Sequence, residues 1–103
     1  MPSDFINDQE LQWIALLLEE AKRQRLDDEA KDIIGAVFLN PRETEIIYLL
    51  YGFGDGHIHV YEDVRRIFLL PQTVIEIFEN NALRKLSTSY SKWRLESLVG
   101  MES

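Results

Sequence analysis

His57 and His59 stand two residues apart, with Asp55 before them and Glu62 after. Imidazoles and carboxylates in one short stretch could bind a metal ion or change charge near neutral pH. These are the only histidines and the chain has no cysteine, so a zinc cage lacks ligands and polar loop residues are the expected role. The carboxylate pairs Glu19/Glu20 and Asp27/Asp28 read as helix surface and helix N-terminus, where an acid complements the helix dipole. No nucleophile stands beside a base, and no glycine loop of the phosphate-cradling kind occurs. No enzyme, cofactor or metal is expected. The remaining polar chemistry is of a binding kind. Arg42, Gln72, Thr73, Asn80, Asn81, Arg84 and Lys85 are types that meet phosphates and base edges. Each has an ordinary role too: Arg84 and Lys85 suit a helix C-terminus, and Arg42 has Glu43 and Glu45 within reach. Arg65 and Arg66 read as a solvated face.

Helical spacing dominates the elements that must position these residues. Residues 8–26, "DQELQWIALLLEEAKRQRL", predict a helix with Asp8 as N-cap and Lys22, Arg23 and Arg25 in its last turns. Leu11, Ile14, Ala15 and Leu18 form a stripe that Trp13, Leu16 and Leu17 widen past one face. Such a helix is buried on more than one side, either in the core or at a subunit interface. Residues 28–38 predict a second helix, buried through Ala30, Ile33, Ile34, Val37 and Phe38. Pro41 behind Asn40 starts a third, with Ile46, Ile47, Leu49, Leu50 and Tyr51 as its apolar positions, and "GFGDG" stops it. Residues 57–60 read as an extended loop into a short helix at 61–68. Pro71 disfavours helix at Leu70. From there one long helix is predicted through residue 99, its inner side Val74, Ile75, Phe78, Ala82, Leu83 and Leu86. Tyr90 and Trp93 are expected as core or as cover for the N-terminal helix, with a partner groove as the other reading. Short helix, tight turn and longer helix is the spacing of a helix-turn-helix. With no repeat or linker, residues 1–103 form a single all-α domain: N-terminal helices in 8–38, the helix-turn-helix in 39–86, and a C-terminal extension in 87–103.

The chain of 103 residues is 46% hydrophobic, enough for one modest core. Its start lacks the basic-then-apolar order of a signal peptide. No apolar run nears the roughly 18–20 residues that span a membrane, so cytoplasmic placement is expected. The net charge of −7 argues against general nucleic-acid affinity, which comes from neutralising phosphates. The imbalance lies mostly in residues 1–38, with four basic and nine acidic side chains against seven and nine in residues 39–103. A partly basic C-terminal face is therefore compatible with an acidic whole.

Three pieces, "LNPRETEIIYLLYGFGDG", "YEDVRRIFLL" and "IEIFENNALRKL", resemble region 4 of the primary bacterial sigma factors. That is the promoter −35 recognition domain of RNA polymerase. Pro41, Arg42, Glu43, Tyr51, Gly52, Asp55, Gly56, Glu62, Glu79, Ala82, Leu83, Arg84, Lys85 and Leu86 fall in the family's register. The resemblance covers residues 39–86. It implies a compact helical domain with a helix-turn-helix, to which helix 8–26 is an extra. Residues 1–38 hold no recognisable upstream sigma region, so a complete sigma factor is not expected.

The departures have a direction. The family opens its recognition helix with an arginine-rich run; here the same positions read Pro71, Gln72, Thr73, Val74, Ile75, Glu76 and Ile77. Arginine reads guanine bidentately, for about 1–3 kcal/mol of discrimination each. Valine cannot donate, and Glu76 would be repelled by phosphate. Val60 replaces a threonine that the resemblance makes a phosphate contact, and Leu69 replaces a small turn residue. Val74 and Ile77 should point outward where the family keeps arginine and glutamine. The expected function is therefore a transcription-associated protein acting mainly through protein contacts. Val74 and Ile77, with Trp13 and Leu17 of the N-terminal helix, would form the interface. RNA polymerase (through its β-flap, which region 4 binds in the family), another transcription protein, or a second copy would be the partner, with promoter DNA bound weakly. The alternative is a small dimeric helix-turn-helix DNA-binding regulator of phage or mobile-element type, contacting DNA through Gln72, Thr73, Asn80, Asn81, Arg84 and Lys85.

Overall fold

Leu17, Leu18 and Ala21 have no exposed surface, because the helix that carries them is enclosed by four others. The computed structural model describes residues 2–101, and side chains from residue 9 onward. Its elements are α1 (Pro2–Arg23), α2 (Asp27–Gly35), α3 (Pro41–Tyr51), α4 (Tyr61–Phe68), α5 (Gln72–Leu86) and α6 (Ser89–Val99). No strand occurs among the described residues. Leu11, Ile14, Leu17 and Leu18 of α1 pack with Ile33 and Ile34 of α2, Ile47 and Tyr51 of α3, Leu83 and Leu86 of α5, and Leu95 and Val99 of α6. A second, smaller core joins Ile46, Val64 and Ile75 and holds α3, α4 and α5 together. The N-terminal helix therefore belongs to the core of its own chain. Leu17 is unavailable as an interface residue on this surface, and only Leu16 of the same apolar run reaches solvent, at 39% exposure.

Local chemistry sets the helix ends. The helix α1 starts at Pro2, so position 8 lies inside it and not at its N-cap; the side chain of Asp8 is outside the described residues. It stops at Arg23 because Arg25 turns left-handed (φ 62°) and the Leu26 N–H reaches back to the Ala21 carbonyl at 2.9 Å, which closes the exposed carbonyls in a Schellman turn. Leu69 (φ 56°) ends α4 in the same manner, with the Leu70 N–H on the Arg65 carbonyl at 3.3 Å. Asn40 caps α3 as expected, in a full capping box: its Oδ1 accepts from the Glu43 N–H, and Glu43 Oε1 accepts from the Asn40 N–H.

Three expectations need correction. The long helix predicted from residue 71 to 99 is two helices. Ser87 Oγ bonds to the Arg84 carbonyl at 2.6 Å, and Thr88 turns extended (ψ 151°). Hydroxyl side chains offer the backbone a local alternative to the helix, and the break lets α6 fold back across α1 and α2. Phe38 lies beyond α2, which ends at Gly35, and is 88% exposed rather than buried; its left-handed φ of 63° turns the chain toward α3. Tyr90 and Trp93 are 66% and 56% exposed and cover no core, since α6 turns Leu95 and Val99 inward instead.

Candidate interaction face of the helix-turn-helix

The turn Leu69–Pro71 sets α5 across α4, and a buried carboxylate fixes the crossing. Glu79 of α5 accepts from the Tyr51 hydroxyl of α3 at 2.7 Å and from the Tyr61 hydroxyl of α4. Burial, with the Glu79 charge beside it, raises the pKa of each tyrosine above the ordinary value, so both stay protonated donors. Three helices thus meet on two oxygen atoms. Sequence spacing carries a signal of this arrangement, since Glu79 sits at core spacing between Ile75 and Leu83.

That frame presents the outer face of α5. Gln72, Thr73, Ile77, Asn80, Arg84 and Lys85 are exposed, while Val74, Glu76 and Asn81 are half-buried. The first three turns of α5 carry no basic side chain. Gln72 Nε2 donates to Glu76 Oε2 at 3.0 Å and Arg84 to Asn81 at 3.1 Å. Lys85 Nζ bonds to Glu43, which is 3% exposed, at 2.8 Å. Arg42 lies over the Phe68 ring at 4.6 Å and 3.6 Å from Glu45. Arg65 and Arg66 both pair with Glu62, at 3.0 and 3.4 Å. All five cations of residues 39–86 therefore have partners within the chain. Meanwhile Val60, Ile67, Leu69 and Ile77 show more than half of their surface to solvent. On the outer face of α5, Ile77 stands among polar side chains, and the first three turns hold no cation.

The other sequence-stated residues do not converge with these. His59 bonds to Asp55 at 2.8 Å and stands 3.8 Å from Asp63. The His57 backbone N–H, with His59 behind it, holds the Asp55 carboxyl below the usual range. No group of three or more His, Asp or Glu forms a metal cage among the described residues. Trp13 is half-buried, its Nε1–H donating to Glu96 Oε2 of α6 at 2.7 Å. It lies on the α1–α6 side, on elements apart from Val74 and Ile77.

A short helix, a three-residue turn and a longer helix against a helical core define an all-helical helix-turn-helix protein. Among known sequences it is similar to bacterial sigma factors. A probable RNA polymerase sigma-C factor of Synechocystis sp. is 35% identical over 68 residues, 66% of this chain and 16% of that protein. The RNA polymerase sigma factor SigA of Microcystis aeruginosa is 31% identical over the same length. The SigA of a Bacillus sp. is 30% identical over 96 residues, 93% of this chain and 24% of that protein. The chain spans about a sixth to a quarter of the length of these relatives. No protein-family model and no solved structure matches. The resemblance to the sigma-70 family is borne out, and the chain carries a sigma-like region. Among the described residues no helix is long and apolar enough to cross a membrane.

Proposed function

We propose that this protein acts in the bacterial cytoplasm by binding a transcription protein through its helix-turn-helix, with promoter −35 reading weakened or lost. RNA polymerase, through the β-flap that region 4 binds in the family, is the first candidate partner. One observation carries the reading: the α5 face that would enter a DNA groove exposes Ile77 and part of Val74, and lacks any cation before Arg84. An apolar side chain on a phosphate-lined groove contributes nothing to counterion release, whereas exposed apolar side chains on a rigid helix offer area that a protein partner can bury.

The test is capture of purified RNA polymerase core, and of its β-flap fragment, by the wild-type chain and by Val74→Arg/Ile77→Gln. Binding by the wild type that the double variant loses supports the reading. Sequence-selective binding of a −35-type duplex by the isolated wild type overturns it. The exposure of Gln72, Thr73, Asn80 and Arg84 favours the second reading, a dimeric DNA-binding regulator. Its affinity should fall steeply with salt, and no duplex binding at low ionic strength would end it.

A further inference from the structure

The helix α6 lies outside the stretch that resembles region 4, and its outer side carries two exposed aromatic rings. Tyr90 and Trp93 stand side by side there, ring centroids 6.1 Å apart, both more than half exposed. Beside them runs a groove of about 390 Å³ between α2 and α6. Ile33, Leu98 and Trp93 itself are its apolar lining, and Glu29, Asp32, Arg94 and Ser97 its polar lining. Neither acid has an ion pair or a side-chain hydrogen bond among the described residues. Arg94 has no carboxylate partner among the described residues, and its guanidinium lies 5.8 Å from the Tyr90 ring.

We propose that this face joins two copies of the chain about a twofold axis. The face carries both halves of each contact. An apolar knob, Trp93, stands at the edge of a groove that also holds Ile33 and Leu98, and a cation without a carboxylate partner, Arg94, shares that groove with the acids Glu29 and Asp32. A surface with knob beside hole and plus beside minus is complementary to itself after a half-turn, which an isologous interface requires. The Trp93 of each copy enters the groove of the other, and each Arg94 meets the opposite pair of acids. The charge pattern favours a second copy over an unrelated basic segment, since such a segment would leave Arg94 unpaired and repelled. Two chains of net charge −7 repel at long range, so the attraction is short-ranged and local. The surface is separate from Val74 and Ile77, and the inference stands or falls apart from the proposed function.

The experiment is sedimentation equilibrium of the full chain at physiological salt. The wild type should dimerise. Trp93→Ser should weaken the dimer about tenfold or more, in the manner of a central aromatic anchor. Arg94→Glu and the double variant Glu29→Lys/Asp32→Lys should each be monomeric, because each sets like charges face to face twice. An equimolar mixture of these two should recover a dimer, since both contacts are then opposite in sign. Circular dichroism confirms that each variant is folded, and the mixture keeps the test decisive should Trp93→Ser unfold. A monomeric wild type at all attainable concentrations overturns the proposal. So does a dimer split by Val74→Arg/Ile77→Gln but indifferent to the α2–α6 variants, or a charge-swap mixture that stays monomeric.

Discussion

Replacing Tyr51 with phenylalanine removes one oxygen and leaves the ring in its packing. That oxygen donates to Glu79 Oε2 at 2.7 Å in a buried setting, and a hydrogen bond to a charged acceptor contributes about 1.5–3 kcal/mol. Tyr61 remains on the other carboxylate oxygen and cannot serve both. For 103 residues, an unfolding entropy of about 2.1 cal/mol/K per residue turns the loss into a fall in Tm of roughly 7–14 °C. The pH dependence adds a second signature. Burial and the Glu79 charge raise the pKa of Tyr51 above the ordinary value of 10. Above that pH the unfolded chain has lost a proton that the native chain keeps, so stability falls as pH rises. The Tyr51 contribution is complete below about pH 10 and declines on the way to the raised native value. The variant lacks this titration, so the stability gap between the two proteins should narrow above about pH 10. Urea denaturation followed by circular dichroism, from neutral pH to about pH 11, measures both. A gap under about 0.5 kcal/mol at neutral pH would refute the hydrogen bond's role, and a gap that grows with alkalinity would refute the linkage.

Other perturbations follow from single contacts. Gly52→Ala meets a φ of 88° and places a Cβ 2.9 Å from both Ile58 Cγ1 and Lys22 Cε; denaturation should show a loss of about 1–3 kcal/mol. Lys22→Met keeps the stem but removes an ammonium that bonds to Asp27 at 2.8 Å and to the carbonyls of Gly52 and Gly56 at 2.8 and 3.1 Å. The other oxygen of Asp27, Oδ1, is already buried without a partner, so the variant should lose about 1–3 kcal/mol and exchange the amides of residues 52–58 faster. Asn40→Ala deletes the cap of α3, at a thermal-melt cost of about 1 kcal/mol. Leu69→Gly relieves a left-handed leucine that is 87% exposed; chemical denaturation should show a gain of up to about 1 kcal/mol, and a less stable variant would mean the side chain packs on something in the free protein.

What the sequence disclosed and what it hid divide along physical lines. Helix spacing in Ile46, Ile47, Ile75, Leu83 and Leu86 points inward from pattern alone, and all five are buried. Asn40-Pro41 and Gly52 mark the two ends of α3 because cap and left-handed turn chemistry are local. The break at Ser87 was hidden, since helix propensity there is only mildly unfavourable and the choice belongs to α6 packing on α1. The same holds for Trp93: its type implies burial, but the helix turns by the demands of Leu95 and Val99. For the candidate face, the missing arginines were legible by comparison with the family register. The intrachain partners of the remaining cations were less so, as Lys85 and Glu43 are 42 residues apart. Neither Glu79 nor Lys22 could be assigned, because their partners come from other helices.

The enclosure of α1 has a bearing on how the chain is made. Its contacts close over nearly the whole sequence: Trp13 bonds to Glu96 across 83 positions, and Gln24 to the Val99 carbonyl across 75. During synthesis the apolar run Leu16–Leu18 leaves the ribosome well before its cover on α5 and α6. At about 5–20 residues per second, that run waits for several seconds with only α2 and α3 to cover it in part. A helix bundle usually folds fast on near-neighbour contacts; this one must hold its most adhesive segment partly uncovered until α5 and α6 arrive. Nascent chains halted before residue 82 should therefore draw chaperones, and those released after residue 99 should not.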